Sequence, residues 1–148
     1  MSPRPAQGAV LAFDFGEQRI GVATGELSLG IAHALTVIAA EDNDTRFANI
    51  AGLIAEWQPV LLVVGVASHA DGAVHETGRL ARRFGQRLHG RFSLPVEFID
   101  ERLTSYAADT ALREGGARAE RRAAMLDAAA AAEILRTWFE TPPEKNLP

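Results

Sequence analysis

Val60-Leu61-Leu62-Val63-Val64-Gly65-Val66 is apolar at consecutive positions rather than alternate ones, the pattern of a parallel strand covered on both faces. A chain built around such a strand needs layers above and below it, and the flanking sequence supplies them. Phe47, Ile50, Ala51, Ile54 and Trp57 recur at helical spacing from about Asp44 until Pro59 stops them. After the apolar run, a helix is predicted from about Ala73 to His89, with Leu80, Phe84 and Leu88 on one face. Pro95 to Asp100 reads as a further strand, Thr104 or Ser105 caps a short helix to about Arg113, and Gly115-Gly116 ends it. A last helix runs from about Arg118 to Glu140. Upstream, Ala9 to Phe15 and Arg19 to Thr24 form an antiparallel hairpin, and Ala34 to Ile38 makes a third strand.

This order describes an α/β domain with a mixed sheet of about five strands and helices on both faces, and it suits a ribonuclease H-like fold. Residues 8–140 read as one domain, with 1–7 and 141–148 as flexible termini. With 148 residues, 47% of them apolar, the chain can bury roughly 70% of its unfolded surface without a covalent staple. It has no cysteine, which excludes disulfides and thiolate metal sites and fits a reducing cytoplasm. The N-terminus has no apolar signal core, and the longest strongly apolar run is far short of a membrane span.

The net charge of −4 argues weakly against a polyanionic partner, but the charge is unevenly distributed. Residues 1–78 hold 3 basic and 9 acidic side chains, whereas residues 79–122 hold 10 basic and 6 acidic, and all ten basic residues are arginines. Arginine grips phosphate through two bonds, so this stretch reads either as a seat for a nucleic-acid backbone or as a solvated helix face.

Three carboxylates stand out. Asp14 ends the first apolar run; taken singly, it reads more simply as the cap of a turn at Gly16. Glu101, in Asp100-Glu101-Arg102, lies at the carboxyl end of a strand, where α/β sheets hold ligands. Consecutive strand residues face opposite ways, so only one of Asp100 and Glu101 belongs to a site. Asp127 interrupts Ala123-Ala124-Met125-Leu126 and Ala128 to Ala132, small residues that let a helix approach a sheet closely; an outward-facing aspartate near the helix start is the plainer alternative. Were the three to converge, each pair would repel by about 4 kcal/mol at ~4 Å and an effective dielectric near 20, a cluster that calls for a divalent cation. Hard oxygen ligands point to Mg²⁺ or Mn²⁺, and such ions serve phosphodiester hydrolysis.

Five segments in register then resemble one family: Ala12-Phe13-Asp14-Phe15-Gly16-Glu17-Gln18-Arg19-Ile20-Gly21-Val22-Ala23; Gly30-Ile31-Ala32-His33-Ala34-Leu35-Thr36; Val63-Val64-Gly65 with Asp71-Gly72; Asp100-Glu101-Arg102-Leu103-Thr104; and Leu126-Asp127-Ala128-Ala129-Ala130 with Ile134-Leu135. The chain resembles the YqgF family of bacterial RuvC-like, ribonuclease H-fold proteins, described as Holliday junction resolvases or as pre-ribosomal RNA nucleases. The resemblance implies that Asp14, Glu101 and Asp127 are the metal-binding catalytic carboxylates. It places Arg19, Arg102 and Thr104 in the motifs beside them, for phosphate contact or site support. Ala34 and Ala67 stand where relatives commonly carry proline, which bears on the loops near the site rather than on the carboxylates.

The expected activity is metal-dependent endonucleolysis of structured RNA, in 5′-end maturation of pre-16S rRNA. Four-way DNA as substrate and a non-catalytic nucleic-acid-binding or transcription-associated factor are the alternatives, with the protein a monomer or a homodimer. Asp14-Phe15-Gly16 also resembles the first phosphate loop of actin-like and sugar kinases, but those folds need two lobes and there is room here for one. His33, His69, His75 and His89 read as surface residues, and Trp57, Trp138 and Phe139 as packing residues.

Overall fold

The structure, a computed structural model, describes residues 5–16, 18–39, 42–66, 76–100 and 119–141. Its elements are β1 (Ala9–Asp14), β2 (Arg19–Glu26), β3 (Ile31–Ala39), α1 (Asn43–Trp57), β4 (Leu61–Val66), α2 (Glu76–Phe92), β5 (Val96–Asp100) and α3 (Ala119–Glu140). The strands form one sheet in the order β3-β2-β1-β4-β5. β1 pairs antiparallel with β2 and β2 with β3, whereas β1, β4 and β5 run parallel. The consecutive apolar run is therefore a parallel strand between two parallel neighbours, and all six residues of β4 are buried.

Alternation along the strands divides the core into two layers. Leu11, Phe13, Ile20, Val22, Leu62 and Val64 pack against Phe47 and Ile50 of α1 and Ala81, Phe84 and Leu88 of α2. On the other face Val10, Ala12, Ala23, Leu61, Val63 and Ile99 pack against Ala131, Ala132, Ile134, Leu135 and Trp138 of α3. The Trp138 indole also donates to Glu97 Oε1 of β5 at 3.1 Å, which ties the far end of α3 to the sheet. Trp138 is thus the packing residue its helical position predicts.

Two element boundaries differ from the sequence reading by three residues, the other described ones by two or fewer. β3 begins at Ile31 rather than at Ala34: it is an edge strand with several exposed residues, so its first turns lack the apolar alternation that marks a strand. α2 continues past His89 to Phe92, because Gly90 is tolerated inside the helix and the stop comes at Ser93. That residue has φ +57, and its N–H donates to His89 O at 2.9 Å; Pro95 follows. α1 begins and ends as predicted, with the Asp42 carboxylate accepting from Thr45 N at 2.9 Å and Gln58 in the left-handed region before Pro59. The short helix predicted over about 104–113, its Gly115-Gly116 stop and the start of α2 at Ala73 lie outside the described residues.

Candidate active site

Asp14 is the last residue of β1, and its place in the alternation fixes its side. Val10 and Ala12 belong to the layer under α3 and Leu11 and Phe13 to the other, so Asp14 falls on the α3 side. Its partner across the ladder is Gly21 of β2, about 4.5–5.5 Å away between Cα atoms in any antiparallel pair. At Gly21 the backbone of α3 comes directly against the sheet. A Cβ built on it would stand 1.9 Å from the backbone oxygen of Asp127 and 3.1 Å from the nitrogen of Ala128, so only glycine admits the helix this close. One glycine thus brings the backbone of Asp127 against the strand residue that pairs with Asp14, across 113 positions of sequence.

Arg19 lies two residues before Gly21 on the same face of β2, and its Nε approaches Asp127 Oδ2 to 2.8 Å. The side chains are 39% and 29% exposed, respectively. The distance makes an ion pair, yet Oδ2 is itself shielded from water and has no aligned hydrogen-bond donor among the described residues. Burial pushes the Asp127 carboxyl above its ordinary value, and the attraction of Arg19 offsets this only in part. Arg19, expected to contact phosphate or support the site, is paired with Asp127.

The sign of that shift gives a stability prediction. A carboxyl raised on folding favours the fold below its unfolded value, and that contribution is lost as pH rises through the raised value. Ionised Asp127 is then a net cost near neutrality, small because the group is partly solvated. Asp127→Asn is expected to melt at the same temperature as the parent or higher, by about 1 kcal/mol or less, in chelator at neutral pH. The difference should shrink toward ~pH 4. Thermal unfolding of both proteins across that range checks it; a lower melting point for Asp127→Asn at neutrality would show that the Arg19 ion pair outweighs burial.

The parallel strands β1, β4 and β5 end at one edge of the sheet, with Phe13 level with Val64 and Val64 level with Phe98. Asp100 closes β5 in phase with Val96 and Phe98, which pack on the α1 and α2 layer. Of the consecutive carboxylates, Asp100 is therefore the one turned away from α3. Glu101, Arg102 and Thr104 lie outside the described residues, as do His69 and His75. Among the described residues no three His, Cys, Asp or Glu side chains gather closely enough to hold a metal ion, and the predicted triad is represented by Asp14 and Asp127. These two fit a hard cation in kind: both are carboxylates, the oxygen ligands that Mg²⁺ and Mn²⁺ take. His33 and His89 are exposed, and His89 Nδ1 stands 2.9 Å from Leu94 O, away from both carboxylates.

The sequence reading did not single out Gly21, although a glycine inside an apolar strand is itself a signal of close backbone approach. It also left the face of the arginine-rich helix open. α2 packs on the sheet face opposite Asp127, with Arg82 over the Phe98 ring at 5.3 Å and Arg91 over the Phe47 ring at 4.3 Å.

A mixed sheet in this order, with a carboxylate ending its first strand and another on a helix laid across it, is a ribonuclease H-like fold. The fold is shared with Thermus thermophilus RuvC, solved in complex with a Holliday junction substrate, at a TM-score of 0.55 and 16% identity over 90% of this chain and 94% of that one. The chain belongs to the RuvX family, the YqgF family of the sequence reading: the family's model, described as Holliday junction resolvase, matches residues 8–141. A relative from Dechloromonas aromatica is 61% identical over 135 residues, covering 91% of this chain and 92% of its own. Another, from Methylobacillus flagellatus, is 52% identical over 141 residues, covering 93% and 97%. Both are named as candidate pre-16S rRNA nucleases. The enzyme class that follows is a hydrolase, specifically a nuclease.

Proposed function

We propose that the chain is a divalent-metal-dependent endonuclease that hydrolyses phosphodiesters in structured RNA, acting in 5′-end maturation of pre-16S rRNA. The observation that carries the reading is the apposition of Asp14 and Asp127 across Gly21, supported by the names of the relatives. Asp14 and Asp127, with Glu101, would hold Mg²⁺ or Mn²⁺; such ions activate water, hold the scissile phosphate and stabilise the leaving oxygen. The chain's own residues then do three things. The Gly21 contact fixes where Asp127 stands, Arg19 would hold that carboxylate or contact phosphate, and Arg102 and Thr104 would assist at the phosphate or support the site.

In this reading residues 8–140 are one nuclease domain, and the protein works in the cytoplasm as a monomer or homodimer. No described helix is long and apolar enough to cross a membrane. Four-way DNA is the second substrate reading, favoured by the description of the family model. Filled positions at Asp14, Glu101 and Asp127 weigh against a factor without catalysis.

The deciding experiment offers a ribosomal RNA precursor spanning the small-subunit 5′ end and a mobile four-way DNA junction, each with Mn²⁺, Mg²⁺ or chelator. Site-selective, metal-dependent RNA cutting is expected. Symmetric cutting of the junction alone would transfer the function to resolution, and binding without cutting of either would transfer it to the non-catalytic reading.

A further inference from the structure

On the sheet face opposite Asp127, the first turn of α1 and the middle of α2 enclose a cleft of about 260 Å³. Arg46, Arg83 and Arg87 line it with Asn43, over a floor that includes Phe15 and Phe84. No described acidic side chain is part of that lining. Arg46 is only 6% exposed, and its guanidinium carbon is held 5.8 Å from the centre of the Phe15 ring. Arg83 is exposed and Arg87 half-buried at the rim, one helical turn apart, so their like charges face each other. Arg83 and Arg87 thus present two guanidinium groups at the mouth of one small cleft, and a flat fork of donors suits phosphate above other anions.

Place and size narrow the ligand further. The volume is below the roughly 300–1,000 Å³ of ordinary small-molecule sites and cannot admit a duplex, but it can take one unpaired unit of a strand. Phe15 is half-buried and lies tilted against Phe84 with ring centres 5.1 Å apart, a partly open aromatic face of the kind on which bases stack. Phe15 is also the residue after Asp14. The two leave the same end of β1 toward opposite faces, so a strand crossing this edge can meet both.

We propose that this cleft binds an unpaired nucleotide of the substrate strand, its phosphate on Arg83 and Arg87 and its base against Phe15, next to the phosphodiester held at Asp14 and Asp127. The passage of the strand over Asp14 rests on the nuclease reading; the binding itself does not. It implies that the enzyme prefers a single-stranded flank beside its cleavage position.

Fluorescence anisotropy of a labelled short oligouridylate, in chelator, tests the cleft without cleavage. Arg83→Glu/Arg87→Glu, checked by circular dichroism and thermal melting, is expected to bind about tenfold or more weakly. Its plot of log affinity against log salt should be shallower by about 1 or more, the two lost phosphate contacts each contributing ~0.7 for a single strand. Arg136→Glu, on the exposed side of α3 and paired with Glu133, reverses a charge away from the cleft and should bind as the parent does. Phe15→Leu keeps the site apolar but removes the ring, and should weaken binding of oligouridylate several-fold while leaving an abasic strand of the same length unaffected. Unchanged affinity and slope in the double variant, or an equal loss in Arg136→Glu, would overturn the cleft, and equal effects of Phe15→Leu on both strands would overturn the placement of the base. The two readings fail separately. Arginine-dependent binding by a protein that cuts nothing leaves the cleft standing without the nuclease, and Asp14-dependent cutting with arginine-independent binding does the reverse.

Discussion

Asparagine in place of Asp14 is expected to lower metal-dependent cleavage by about 10²–10³-fold, the scale on which one misplaced charge-stabilising group acts at the reacting centre, while the protein remains folded. The expectation follows from position. Asp14 ends β1 on the α3 side, beside the glycine on which Asp127 rests, so its side chain belongs to the carboxylate pair rather than to the core layer that Val10 and Ala12 occupy. Asparagine preserves the shape and removes the charge. A second readout separates loss of the ion from loss of chemistry. Mn²⁺ at about a hundred times its dissociation constant should stabilise the parent by ~2.7 kcal/mol and raise its melting temperature, and Asp14→Asn should lose most of that rise. Full cleavage by the variant would remove Asp14 from the site. Lost cleavage with the Mn²⁺ rise intact would give it a role other than holding the ion.

The parts of the site that were readable in advance are those encoded by local patterns. A carboxylate after an apolar run, and another interrupting a string of alanines, both signal a polar group at the limit of a core, and Asp14 and Asp127 stand there. The strands and helices were readable for the same reason: consecutive apolar residues at Leu61–Val66 and helical spacing through Phe47, Ile50 and Ile54 report burial directly. Contacts between distant segments left weaker marks. Nothing local distinguishes Arg19, which holds Asp127, from any arginine at the start of a strand. The cleft of Arg46, Arg83 and Arg87 joins one of the three basic residues in the acidic first half of the chain to two members of an arginine series whose companions, Arg82 and Arg91, lie over aromatic rings instead. Only the packing of α1 beside α2 sorts that series into those lining the cleft and those stacked on rings. β3 was shortened in the reading because exposure along an edge strand removes the alternation that would announce it.

Gly21→Ala tests the contact that assembles the site, and a loss of about 3 kcal/mol or more is expected, at the upper end for overpacking. The added Cβ would lie 1.9 Å from one backbone atom of α3 and 2.4 Å from the next, and neither can swing aside as the end of a flexible side chain would. Either α3 lifts from β2 or β2 bends away, and both separate Asp127 from Asp14. Cleavage should therefore fall with stability, and it should stay low even at temperatures where the variant is fully folded, since a displacement of about 1 Å at a reacting centre costs on the order of a hundredfold. Two other glycines calibrate the result. At Gly52, inside α1 with no atom within 4 Å of a built Cβ, alanine should stabilise by about 0.5–1 kcal/mol. At Gly30, equally open but at φ +64, alanine should cost about 1 kcal/mol through backbone conformation alone. A loss at Gly21 no greater than at Gly30 would mean that α3 can yield without strain, and the two carboxylates would then owe their proximity to some other contact. A loss several times larger, with cleavage abolished in the folded variant, would identify the bare backbone of one strand residue as what holds the catalytic pair in register.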